Sequence, residues 1–180
     1  MPDAPPPSPA RFFGYGSLVN RRTQTYPGAR PMRVAGWRRA WRHTGLRETA
    51  FLTARPDPDS AIDGLAADVP DGDWAALDAR EAAYVRTALP EGPQIYHIPE
   101  GLHAPASRAH PILLSYLDVV VQGYLEVFGE AGVAAFFATT DGWDAPIRDD
   151  RGDPLYPRAQ RLSVAETALV DRWLARVGAG

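Results

Sequence analysis

Phe12-Phe13-Gly14-Tyr15-Gly16-Ser17-Leu18 is the stretch on which the reading of this chain turns. Two phenylalanines suit a buried strand. Gly14 and Gly16 then flank an aromatic ring, allow positive φ and let another group approach the backbone closely. A strand that ends in such a turn can form a concave nest of N–H donors, which receives an anion or a carbonyl oxygen. A tight turn with glycine chosen for φ alone fits the same spacing. Known phosphate loops do not. Val19 and Asn20 stand where a dinucleotide fingerprint would continue, and no Gly-Lys-Ser/Thr occurs. Ser17 is followed by Leu18 and Val19, so it lacks the Gly-x-Ser-x-Gly setting of a hydrolase nucleophile.

Around this stretch the chain is punctuated throughout. Its 18 prolines and 16 glycines in 180 residues imply many turns and short elements, hence a compact α+β domain rather than a helical bundle. The length suits one domain, placed at 11–180 behind an extended, proline-rich tail at 1–10. That tail lacks the apolar core of a signal peptide, and no apolar run reaches membrane-spanning length. The expectation is therefore a cytoplasmic protein with no membrane partner. A net charge of −3 argues against a nucleic-acid partner. The absence of cysteine excludes disulfides, thiolate catalysis and thiolate metal sites. The four histidines show no paired spacing, so no metal is expected.

Arg11–Tyr15 reads as the first strand, and 20–31 as irregular. Met32–Thr44 alternates: Trp37, Arg39 and Trp41 share one face, and Arg38, Ala40 and Arg42 the other. Arginine stems laid over tryptophans explain that pattern without nucleic acid. Short strands follow at 49–54 and 62–69, with a hairpin-type loop at 55–59 between them. Asp73 is placed as N-cap of a helix running from Trp74 to about Ala88. A strand is expected over Gln94–Ile98. A helix over Ile112–Phe128 opens behind Pro111 and stops at Gly129. A short helix covers 131–138, and 139–157 reads as a lid or surface wrap. Ser163-Val164-Ala165-Glu166 is a capping box that opens a last helix to Val177.

The helix expected at 74–88 carries the second informative signal. Trp74, Leu77, Tyr84, Val85 and Ala88 define its apolar stripe, and Glu81 falls inside that stripe. Asp78 and Arg80 lie at or beyond its edge. A charge on an apolar face is costly unless paired or protonated. Glu81 is then either half of a structural ion pair with a buried arginine, such as Arg39 or Arg86, or an acid kept for chemistry whose pKa burial raises.

Taken together, Phe13-Gly14-Tyr15-Gly16-Ser17-Leu18 with Asn20, and Leu77-Asp78-Ala79-Arg80-Glu81 with Tyr84 and Arg86, resemble the gamma-glutamylcyclotransferase family, including its ChaC-like and AIG2-like branches. Val34-Ala35-Gly36-Trp37, Gly64–Val69 and Ser115-Tyr116-Leu117 with Gly123 resemble intermediate marks of that family, so the likeness spans about residues 12–125. It implies an α+β fold, a small mixed β-barrel flanked by helices. It implies that Tyr15, Gly16, Ser17 and Leu18 cradle a γ-glutamyl moiety, joined by Tyr116, and that Glu81 is the catalytic acid/base. The implied reaction converts a γ-glutamyl dipeptide, amine or glutathione to 5-oxoproline, with no cofactor and no metal. Two departures stand out. Ala82 and Ala83 follow the glutamate where many members carry glycine or lysine. Val19-Asn20 replaces the tryptophan of ChaC-like members. The alternative is a non-catalytic AIG2-like binding or interaction protein. Glu81 favours the enzyme, because a relative that had given up chemistry would gain stability by replacing a buried acid.

Overall fold

β1, Arg11–Gly14, lies inside the sheet, and its two phenylalanines are buried on opposite faces. Successive side chains of a strand point to opposite sides. Phe12 therefore joins Leu18, Leu77 and Tyr96, while Phe13 joins the larger core with Val34, Leu65, Leu117 and Tyr124. A strand wanted on both faces reads as the continuous apolar run seen here. The computed structural model describes residues 9–179, so most of the expected tail at 1–10 lies outside the described residues.

β2 (Arg30–His43) and β3 (Phe51–Asp68) form a long antiparallel hairpin, and β3 also pairs with β1. The two short strands expected at 49–54 and 62–69 are one strand. The turn chemistry at 55–59 is real but serves a bulge. Ala35 pairs with Ala61 and Trp37 with Pro56, so residues 57–60 loop out opposite Gly36. Asp57 accepts from the Asp59 amide and the Ser60 hydroxyl there, and Pro56 and Pro58 have no N–H to give a ladder. The hairpin's own turn lies at 44–50.

β5 (Gln94–His97) runs parallel to β1 and antiparallel to β4 (Val85–Ala88). This corrects the long helix expected at 74–88. α1 covers Ala75–Arg80 alone, and the chain then turns into β4. The Asp73 carboxylate accepts from the Ala75 amide, although Trp74 occupies the N-cap. Pairing with β5 leaves Tyr84, Val85 and Ala88 off any helix. The Arg86 guanidinium also ties β4 to Asp78 of α1 at 2.7 Å.

The sheet order is β4-β5-β1-β3-β2-β6, with β6 at Ala104–Pro105 and β8 (Thr140–Asp141) pairing with β2. This mixed sheet curls into a half-barrel, the form that the expected barrel takes. A second, two-stranded sheet joins β7 (Ile112–Leu113) to β9 (Ile147–Arg148). α2, Leu114–Ala138, packs Leu117, Val120, Val121 and Tyr124 into the main core. It starts two residues later than expected, because Ile112 and Leu113 are taken by β7. Gly129, at φ 71°, breaks it where the stop was expected. By length and composition α2 could cross a bilayer, a possibility the sequence reading had not credited. Half of its most apolar stretch is buried within the fold. Gly123 lets α2 approach closely: a Cβ there would lie 2.7 Å from the Asn20 amide nitrogen. Asn20 fastens the same contact by donating to the Val119 carbonyl and Gln122.

α3, Val164–Val177, begins at Ser163 with both bonds of the capping box and buries Leu169, Val170 and Leu174 in the same core. In β2 the expected alternation holds, with one correction. Arg38 reaches out to Asp141, but Arg39 does not lie over a tryptophan. It is fully buried, with its guanidinium against the Tyr124 and Phe136 rings at 5.3 and 4.9 Å.

Candidate active site

Four separate pieces of chain meet beside the end of β1. The first is the turn at Ser17–Val19, a single 3-10 turn closed by the Val19 amide on the Gly16 carbonyl. Neither Gly14 nor Gly16 has positive φ. These glycines are required for closeness instead. A Cβ on Gly14 would meet that of Leu18 at 2.5 Å, and one on Gly16 would meet the Tyr116 hydroxyl at 2.7 Å. The second piece is the end of α1, where Glu81 is the C-cap and its amide bonds the Leu77 carbonyl. The third is the first turn of α2, which presents Tyr116. The fourth is residues 155–158, a strap within and just beyond the segment expected to be a lid or wrap.

These pieces enclose a cavity of about 430 Å³ whose lining includes Ser17, Arg80, Glu81, Tyr84, Tyr116 and Arg158. A smaller recess of about 30 Å³ continues from it along Gly14–Leu18, sharing Ser17, Glu81, Tyr84 and Tyr116 with the larger space. Glu81 and the Gly16–Leu18 backbone, far apart in sequence, therefore face one space. The Val19 and Asn20 amides are used within the turn. The Leu18 amide leads the turn, where no intrahelical carbonyl reaches it, while the Ser17 amide meets the Tyr116 hydroxyl.

Glu81 is not at the centre of a helical stripe, yet it is enclosed, with its side chain 16% exposed. Burial raises its pKa, against the opposing pull of Arg80, Arg158 and Arg47. The nearest cation is Arg80, with Nε 3.4 Å from the carboxylate. Neither Arg39 nor Arg86 is its partner; the buried arginine of the ion-pair alternative is instead its neighbour Arg80. Arg86 holds Asp78, whose pKa it lowers together with the Tyr96 hydroxyl. Two acids one turn apart are thus pushed in opposite directions, Asp78 by its donors and Glu81 by burial.

The other expected residues divide between lining and support. Tyr15 lines the recess, but its hydroxyl is fully used: it donates to the Tyr96 carbonyl at 2.6 Å and accepts from the Ala54 amide at 3.1 Å. Burial raises the pKa of that hydroxyl. Leu18 turns its side chain into the smaller core and offers only backbone. Ser17 lines both spaces, and its hydroxyl accepts from Arg80 at 3.2 Å. Tyr116 stands edge-on to Trp41 and Tyr156, and burial raises its pKa well above the usual value.

Sequence reasoning missed several lining residues. Arg80 had been set at the edge of a helical stripe. Instead it binds the Thr23 carbonyl and hydroxyl and Ser17, holding the turn in place beneath Glu81. Its position beside Glu81 was the available signal. Tyr84 lines the cavity with its hydroxyl donating to the Leu52 carbonyl. Arg47, Tyr156 and Arg158 come from loops, and no local pattern marks them. Among the described residues, no group of three or more His, Asp or Glu side chains is gathered for a metal ion.

The curled half-barrel with its few helices is a gamma-glutamylcyclotransferase-like fold. The structure is similar to a solved gamma-glutamyl cyclotransferase over 92% of this chain and 99% of that one, with a TM-score of 0.52 at 16% identity. It is similar also to an uncharacterized protein from Homo sapiens, loc79017, over 90% of this chain and 98% of that one (TM-score 0.53, 15% identity). A third neighbour is YkqA from Bacillus subtilis, over 75% of this chain and 56% of that one (TM-score 0.53, 14% identity). No protein-family model matches the chain, and no curated protein matches its sequence.

Proposed function

We propose that this protein is a gamma-glutamylcyclotransferase, which cyclises a γ-glutamyl compound to 5-oxoproline and releases the attached amine. The observation that carries the reading is a single enclosed carboxyl, raised in pKa by burial, facing the same cavity as the backbone of a turn with a leading N–H group. The fold supports it. Glu81 takes a proton from the substrate α-ammonium, and the freed amine attacks the γ-carbonyl carbon. A carbon–nitrogen bond forms and closes a five-membered ring. The bond to the leaving nitrogen then breaks as that nitrogen is protonated. The α-nitrogen gives up two protons and the leaving nitrogen gains two, so Glu81 returns to its starting state. One carboxyl whose pKa burial raises serves as base and then as acid. The ring closure is intramolecular, so positioning supplies much of the acceleration. The Leu18 amide is the donor for the tetrahedral oxyanion or the substrate carboxylate.

Incubation with γ-glutamyl dipeptides, γ-glutamyl amines and glutathione tests this, scored for 5-oxoproline. Acetylation of the α-amine should abolish reaction, because that amine is the nucleophile. Release of free glutamate instead would identify a hydrolase. Binding of the unblocked compounds with no product would identify a binding protein.

A further inference from the structure

The charge lining the cavity is unbalanced. Glu81 is the one acid there, against Arg47, Arg80 and Arg158. Arg80 is already engaged by Thr23 and Ser17 and lies close to Glu81. Arg47 and Arg158 are not engaged. Among the described residues, neither guanidinium takes part in an ion pair or a hydrogen bond, and Arg47 merely lies over the Phe51 ring at 5.0 Å. They reach the cavity from different segments, Arg47 from the β2–β3 turn and Arg158 from the strap. Two guanidinium groups without a protein partner, the half-buried Arg158 and the exposed Arg47, thus line one cavity and are placed to take anions from a ligand, since guanidinium groups match carboxylates in geometry and charge.

A γ-glutamyl group brings one carboxylate and one ammonium of its own, which the cyclotransferase reading gives to the turn and to Glu81. The surplus cations therefore face the other half of the substrate. We infer that Arg47 and Arg158 are specificity-determining residues that read carboxylates on the leaving amine, and that the preferred leaving group is an acidic amino acid. This rests on the cyclotransferase reading. A leaving amine with two carboxylates matches two free guanidinium groups, one with a single carboxylate leaves a cation unmatched, and a cationic amine is repelled.

A near-isosteric series decides it: γ-glutamyl-glutamate, γ-glutamyl-glutamine and γ-glutamyl-glutaminamide, whose leaving halves carry two, one and no carboxylates. The expected order of kcat/KM in the wild type follows that count, with each step worth about tenfold, the scale of a hydrogen bond to a charged group. Arg47→Gln and Arg158→Gln should each flatten one step, and the double variant both. Arg158→Lys, which keeps the charge and loses the fork, should retain part of its step. Raised salt should compress the series in the wild type. The proposal is overturned if γ-glutamyl-glutamate is not the best substrate, or if the double variant keeps the full preference. If no compound is turned over, the cyclotransferase reading fails by itself. Equilibrium binding of the same compounds to wild type and Glu81→Gln then reads the carboxylate preference directly. Equal affinities, or no binding of any of them, would overturn it.

Discussion

Arg39 and Glu81 are both charged groups taken out of water, and their surroundings differ in one respect. Arg39 is satisfied on every side. Its guanidinium donates to the Thr140 and Thr139 hydroxyls at 3.1 and 3.0 Å and to the Asp63 carbonyl, and two aromatic rings pack against it. Glu81 accepts no hydrogen bond from any described residue and faces open cavity, with Arg80 3.4 Å away. A buried charge that serves the fold is matched within the fold. One that has a single cation beside it and faces a cavity is left free to meet a ligand.

The comparison breaks most visibly at Arg39. Arg39→Ala removes a long buried stem and its hydrogen bonds, and is expected to destabilise by about 3–5 kcal/mol in chemical denaturation, the range of large-to-small core changes. Arg39→Met keeps the stem over Phe136 and should cost clearly less. The Thr139 and Thr140 hydroxyls retain their own acceptors at Ala135 and Phe136. If Met costs as much as Ala, the guanidinium bonds rather than the packing hold this region.

Glu81→Gln reverses the pattern. The variant should fold and bind as the wild type does, and lose turnover by about 100-fold or more, measured as 5-oxoproline release. Loss of folding with turnover retained in the folded fraction would place Glu81 beside Arg39 as a structural charge. Wild-type turnover should itself rise with pH through a value above the ordinary glutamate range, since the base form is needed first and burial raises the pKa.

The smallest expected effect is the pH dependence of stability. Below the ordinary glutamate pKa the carboxyl is protonated in folded and unfolded chains alike and costs nothing. As pH rises past that value the unfolded chain ionises freely while the folded chain resists, so stability is lost until pH exceeds the raised value. Glu81→Gln escapes this penalty. Its thermal midpoint should match the wild type at acid pH and exceed it near neutrality. A variant less stable than the wild type at neutral pH would mean that the ionised carboxylate is held favourably after all.

Much of this was readable in the residues, and the rest for definable reasons was not. Phe12-Phe13 marks a strand buried on both faces because alternation leaves no polar side. Ser163 to Glu166 marks a helix start because the capping bonds are local. The closeness of Gly16 to Glu81 rested on the family resemblance, since nothing local joins them. The helix at 74–88 was misread because Tyr84 and Val85 happen to continue the spacing of Trp74 and Leu77. Their true partners, Leu52 for the Tyr84 hydroxyl and His97 for Val85, are long-range and leave no periodic trace. Arg47 and Arg158 gain their place from where the β2–β3 turn and the strap cross the cavity, a property of topology rather than of neighbours in sequence.

The strap also sets an order in time. The Asp150 carboxylate accepts from the Ser115 amide and hydroxyl at 2.8 and 2.6 Å and from the Leu155 amide at 2.9 Å, which locks the strap to the helical turn that presents Tyr116. During synthesis the chain emerges from its N-terminal end, so the turn and the acid are made long before their roof. Until Asp150 has reached Ser115, the pocket lacks the strap that covers it. The enclosure around Glu81 is thus completed only by contacts that lie well beyond it in the chain.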